Sequence, residues 1–237
     1  MDKRVLSFGG GVQTTAMAIL MAQGKIQADE VVFADTGAEK PETYWYMESY
    51  TEPLFKEIDI PFIKINPKLN LLEYCERYKI VPSVGIRWCT KHIKVLPIKK
   101  YLTGDETLII GFSVDESQRA HRINDGIQRT YPLIELGISS GDCHRIISDY
   151  GWPMPLKSSC FCCPFQRWTE WNWLKGKHPE LIQKCLEMEE LLYSRRPQDR
   201  HRTGVFGGKP LWKWTTGIQS EWEFPGEYSC YSGDCGH

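Results

Sequence analysis

The chain has 237 residues, 41% of them hydrophobic and 25% charged, with a formal net charge of −1. That length suits one α/β domain with a real core, and the balanced charge excludes a global basic field for nucleic acid or anionic membrane. No stretch approaches the roughly 20 apolar residues of a membrane span, and the opening "MDKRVLSFGGG" is too short an apolar run for a signal peptide.

In chain order, Arg4–Phe8 (RVLSF) reads as a buried strand, followed by a glycine run and a helix over Thr14–Gln23. Val31–Ala34 is a second strand, and Pro41–Ile58 a second amphipathic helix that opens on the proline a first turn tolerates. Phe62–Ile65 and Leu108–Phe112 read as further strands, with a helix over Ile93–Leu102 interrupted by Pro97. Strand–helix alternation of this kind predicts a doubly wound parallel sheet. After about Tyr131 the chain turns to loops, cysteines and tryptophans, with one long helix over Pro179–Tyr193. Residues 1–135 are therefore expected to form a nucleotide-binding α/β domain. Residues 136–237 are expected to form an irregular cap ordered by a bound metal.

"VLSFGGGVQTTAMAIL" is a strand, a glycine run and a helix start in immediate succession. The N–H groups of Gly9, Gly10 and Gly11, with the helix N-terminus, would cradle an anion, since side chains there would block a phosphate. No lysine follows as a Walker loop requires, so that type is excluded. A dinucleotide fingerprint is half satisfied, with Thr14 in place of its third glycine and Asp35 near the distance of a ribose-binding acid. On this segment alone an NAD-type reading stays open.

Four segments in order carry a family resemblance. The loop, from Ser7 through Gly9, Gly10, Gly11, Gln13 and Thr14, is similar to the S-G-G-x-D-S pyrophosphate loop of the adenine nucleotide α-hydrolase (PP-loop) superfamily. "ADTGAEKPETYWY" (Ala34–Tyr46) resembles the D-T-G…P-E-T-Y segment of phosphoadenosine phosphosulfate (PAPS) reductases. "KVLPIKKYL" and "GFSVDESQRAHR" resemble that family's K-V-x-P and G-x-R-x-x-x-S-x-x-R segments. The resemblance implies a parallel sheet holding an adenine nucleotide over its strand ends. It places Asp35, Thr36 and Gly37 beside the adenosine, with Arg119 and Arg122 toward the anionic end. Gly9 and Gln13 stand where the superfamily motif has Ser and Asp, and Ser113 where the family often has Arg. The missing Asp puts cleavage of ATP, with its magnesium ion, in question. "SFGGGVQ" leans toward the S-F-G-x-Q loop of some PAPS reductases.

Nine cysteines without a secretion signal point to metal or redox chemistry in a reducing, cytoplasmic setting. "KSSCFCCPF" (Lys157–Phe165) packs three of them into four positions. Cys160 and Cys163 form a C-x-x-C whose thiolates can share a metal, leaving Cys162 to packing. The segment resembles the S-x-C-x-x-C-P-F of DNA phosphorothioation enzymes, which implies a [4Fe–4S] cluster completed by two upstream cysteines. Cys89 stands where adenylylsulfate reductases have a cysteine pair, and Cys143 is the expected fourth ligand. A structural zinc site satisfies the same spacing. Isolated Cys75 and Cys185 read as buried structural thiols.

"SCYSGDCGH" resembles the E-C-G-x-H tail of sulfonucleotide reductases. That implies Cys235 as the nucleophile, His237 as its support and Cys230 as a resolving thiol. Trp168, Trp171 and Trp173 at helical spacing read as core. "SRRPQDRHR" reads as a solvated loop, with phosphate contact as the alternative. The expected function is thiolate attack on adenylyl sulfate or PAPS by an iron–sulfur enzyme using a thiol reductant. ATP-dependent sulfur insertion into nucleic acid, with a sulfur donor, is the second reading. A non-catalytic nucleotide-sensing subunit is the third.

Overall fold

The computed structural model describes residues 3–120 and 126–217. Its centre is a parallel sheet of β1 (Arg4–Ser7), β2 (Glu30–Ala34), β3 (Phe62–Ile65), β4 (Thr107–Ile110) and β5 (Arg129–Thr130), in the order β3-β2-β1-β4-β5. The helices are α1 (Val12–Ala22), α2 (Pro41–Tyr46), α3 (Glu52–Glu57), α4 (Leu71–Tyr78), α5 (Leu96–Tyr101), α6 (Ser117–Ala120), α7 (Pro132–Glu135), α8 (Ser140–Asp149), α9 (Trp168–Lys177), α10 (Pro179–Arg195) and α11 (Leu211–Thr215). Among the described residues no helix is long and apolar enough to cross a membrane.

The chain divides into two compact units. The first comprises residues 1–35, 39–66 and 96–158, and the second takes Thr36–Ala38, Pro67–Val95 and the chain from Ser159 on. The expected boundary at residue 135 thus falls inside the first unit. α8 is the reason: it packs against α1, and Cys143 and Ile147 enter the same apolar cluster as Met17 and Ile19. Ser139 caps it by accepting from Asp142 N–H, while the Asp142 carboxylate accepts from Ser139 N–H.

In the first unit every residue of α1 from Val12 to Met21 is buried, because the sheet lies on one side and α3 and α8 on the others. Val5, Val32 and Leu108 face the other side of the sheet, where Ile98 and Tyr101 of α5 pack. The expected helix over Pro41–Ile58 is continuous but widens at Met47–Thr51 into a π-turn, where Glu52 N–H bonds Met47 O. Pro53 follows at once. In an unbroken α-helix its ring would meet the carbonyl four residues back.

The second unit has its own core, with Trp171, Phe206 and Trp214 around α9, α10 and α11. Glu189 of α10 is 1% exposed and braces the segment that returns to this core. Its carboxylate accepts from Val205 N–H (2.8 Å), Leu211 N–H (2.9 Å) and the Tyr193 hydroxyl (3.2 Å). Gly204 has to be glycine, because a Cβ there would run into Glu189 Oε1 and the Lys209 carbonyl. Burial lifts the Glu189 carboxyl to about 7 against these hydrogen bonds. The folded chain therefore holds that proton more tightly than the unfolded one. The resulting stability is full below about pH 4.5 and is lost as pH rises through about 7. Thermal unfolding between about pH 4.5 and about pH 7 should show this slope and level off above it, and Glu189→Gln should flatten it. Glu189→Ala should cost about 3 kcal/mol by leaving buried N–H groups unpaired.

Candidate functional site

The glycine loop lies in the first unit, at the carboxyl end of β1. After β1 the chain builds outward through β2 and β3, then returns to β4 on the other side of β1. That reversal makes the carboxyl end of β1 a topological switch point, where open parallel sheets bind ligands. Gly10 has φ +69°, and a Cβ there would approach Thr43 Cγ2 to 3.0 Å. At Gly9 a Cβ would meet nothing within 4 Å. Gly11 caps α1 with extended backbone and no side-chain cap, leaving the helix N-terminus without a side-chain acceptor. Thr14 turns its hydroxyl onto Gly11 O (3.2 Å), while Gln13, 5% exposed, donates to Ser140 Oγ (3.3 Å). Ser7 ends β1, half-buried. Gly111, at the end of β4, lets the strand close on α1: a Cβ there would sit 3.0 Å from Thr14 Cγ2 and from Met17 Sδ.

Asp35 follows β2 and accepts from the Tyr44 hydroxyl at 2.6 Å. Arg119, on α6, is engaged by Glu116 and lies over the Phe112 ring, 4.3 Å from its centroid. Glu116 is 4% exposed, and burial raises its carboxyl against the pull of Arg119. Arg122 lies outside the described residues, as do Cys230, Cys235 and His237.

Thr36 and Gly37 belong to the second unit. Gly37, at φ +67°, comes close to Asn70, the residue that caps α4 in a capping box with Glu73. Thr36 O accepts from Leu71 N–H (2.8 Å), and its hydroxyl accepts from Ala38 N–H (3.2 Å) and from the Cys160 thiol (3.4 Å).

The thiols expected to hold a metal do not all share a core. Cys89 and Cys160 pack in the apolar cluster of the second unit, with Cys75, Cys162 and Cys185. Cys163 closes a turn from the same segment, its N–H bonding Cys160 O at 3.0 Å. Cys162 is wholly buried, whereas Cys89, Cys160 and Cys163 are partly exposed. Cys143 lies in the first unit's core, fully buried on α8, its thiol pushed up to about 12 by burial and by Asp142, Asp115 and Glu116. For Cys89, burial raises the thiol while Thr90 N–H, Arg87 and Lys94 favour the thiolate. Soft sulfur donors in apolar surroundings suit an iron–sulfur cluster or zinc, not magnesium. Among the described residues no three His, Cys, Asp or Glu side chains are drawn into position to hold a metal ion.

Residues 3–172 match the phosphoadenosine phosphosulfate reductase domain. The chain belongs to that family. Within the PAPS reductase family it resembles an uncharacterized protein of Methanocaldococcus jannaschii, 26% identical over 236 residues, covering 89% of this chain and 45% of the relative. The chain spans half or less of the length of the curated relatives it matches. Among solved structures it is similar to phosphoadenylyl-sulfate reductase from Candida auris, at 14% identity and TM-score 0.48 over 65% of this chain and 76% of that one. It is also similar to the tRNA thiolase NcsA from Methanococcus maripaludis with its [4Fe-4S] cluster, at 12% identity and TM-score 0.43 over 93% and 82%. At these scores neither likeness bears on chemistry.

Two features of this PAPS reductase family member escaped the sequence reading. Trp168 is 40% exposed rather than core, while Trp171 is buried as expected. The basic run is partly committed: Arg195 donates to Tyr78 O (2.6 Å), and Arg200 pairs with both Glu190 oxygens while covering the Tyr193 ring.

The two loop glycines separate binding from folding. If the loop holds the phosphates of an adenine nucleotide, Gly9→Val, which projects into open space, should weaken that binding about 100-fold with stability within about 0.5 kcal/mol of the parent. Gly10→Val meets Thr43 at a left-handed position, and should also cost about 1–3 kcal/mol of stability. Calorimetric titration and thermal unfolding of both variants measure the difference.

Proposed function

We propose that the chain is an adenine-nucleotide-binding enzyme of sulfur chemistry, holding the nucleotide's phosphates on the Gly9–Gly11 loop and its adenosine beside Asp35. The observation that carries this reading is the Cys160 thiol on the Thr36 hydroxyl. Both residues lie in the second unit, where the C-x-x-C segment thus meets the threonine of the family's D-T-G turn. Cys89, Cys160 and Cys163 would supply thiolates to a [4Fe–4S] cluster, with zinc as the alternative group. When bound, such a cluster would tune the local electrostatics rather than pass electrons.

In the reductive version the substrate is adenylyl sulfate or PAPS. The Cys235 thiolate attacks the sulfate sulfur, forming an S–S bond, and the S–O bond to the nucleotide phosphate breaks. AMP or its 3′-phosphorylated form leaves with that electron pair. A dithiol reductant then attacks the enzyme sulfur, releasing sulfite and ending as a disulfide. The protein with adenylyl sulfate or PAPS and a dithiol should release sulfite. Cys235→Ser should lose it by at least about 1000-fold while keeping nucleotide affinity.

The commitment of Arg119 to Glu116 favours a second reading, because a sulfate-handling cation should be available to the substrate. In that version ATP activates a nucleic acid and a sulfur donor completes the transfer. No sulfite forms from either sulfonucleotide, and ATP is consumed only when nucleic acid is present. Sulfite release by the parent rejects this version; ATP turnover gated by nucleic acid, without sulfite, rejects the first.

A further inference from the structure

Cys75 has the sequence signature of an isolated structural thiol, yet the fold brings its helix to the other sulfurs of the second unit. Leu71 and Cys75, one turn apart on α4, are the two buried residues of that helix. At its start, Leu71 N–H bonds Thr36 O, and the Thr36 hydroxyl holds the Cys160 thiol at 3.4 Å. Further along, Tyr74 stacks on Trp88, with centroids 4.8 Å apart and planes 18° from parallel. These two rings are the immediate chain neighbours of Cys75 and Cys89. Trp88 is fixed in turn, its Nε1–H donating to Val81 O at 3.1 Å, and Ile80 N–H returns to Cys75 O at 3.2 Å. One helix thus ties the Cys160 segment at its start to the Cys89 segment near its end. All three sulfurs enter one apolar cluster.

We infer that Cys75 is the fourth sulfur ligand, completing the set of Cys89, Cys160 and Cys163, and that Cys143 and Cys162 take no part. This rests on the proposed thiol-held cluster and names its missing donor. Cys143 enters the other core, that of the first unit, on α8.

The test is anaerobic reconstitution of the full chain with iron and sulfide, in parallel with zinc. It is read by metal analysis, visible absorption and electron paramagnetic resonance. Cys143→Ser and Cys162→Ala should keep the parent's iron content and spectrum. Cys75→Ser should lose the four-iron spectrum, retaining at most a three-iron form. Cys75→Ala, which suits an apolar site, guards against misfolding, and its thermal unfolding without metal should match that of the metal-free parent. Parent-like iron in a folded Cys75 variant, or loss of the cluster in Cys143→Ser, overturns the assignment while leaving the cluster reading intact. A parent that binds zinc and no iron, with zinc lost in Cys75→Ala, keeps Cys75 as a ligand and replaces the cluster. A parent that binds neither metal ends both.

Discussion

Thr36 ties together three stretches of chain that are far apart in sequence. It leaves the strand-end turn that follows β2, its carbonyl accepts the first N–H of α4, and its hydroxyl accepts the Cys160 thiol. A hydroxyl that accepts from both Ala38 N–H and a thiol is well satisfied for a residue that is 2% exposed. The sulfur-bearing segments of the second unit are registered to one another through this residue. Gly37 follows because the turn must pass close to Asn70, and Asn70 in turn fixes where α4 begins.

The sheet was legible because short β-branched runs alternate with helical patterns, even at the edge strand β3, where Lys64 is exposed. The first four strands lie within a residue or two of their expected bounds. β5 escaped because two residues of pairing leave no periodic pattern to read. α8 escaped although Ser139 and Asp142 spell a capping box, since Cys143, just after Asp142, drew the segment into the reading of an irregular cap. The glycine loop was legible for a stronger reason. A left-handed turn at the end of a strand leaves few residue choices, and Gly10, read from the sequence as leaving room for an anion, also carries the positive φ of such a turn.

The thiols differ in how far the sequence reveals their surroundings. C-x-x-C spacing is local, so Cys160 and Cys163 stand out in any reading of the chain. Upstream partners depend on which helix packs where, and sequence separation carries no such information. Cys143 has a suggestive local setting but lies in the first unit's core, whereas Cys75, surrounded by Glu73, Glu76 and Arg77, looks like one buried position of a polar helix. Glu189 was illegible for a related reason. Among Glu187, Glu189 and Glu190 on one helix, only the returning backbone at Val205 and Leu211 distinguishes the buried one.

The π-turn at Met47–Thr51 gives the helical run a reserve of chain length. A turn of that kind spends one more residue per revolution than an α-turn while the flanking helices keep their facing. The run could therefore shed one residue there and still present Leu54 and Phe55 to the core, where both are buried. The slack and Pro53 are coupled, however. Once the turn tightens, the proline ring has no room and the helix must kink. Length variation in this segment is thus permitted only together with the identity of residue 53.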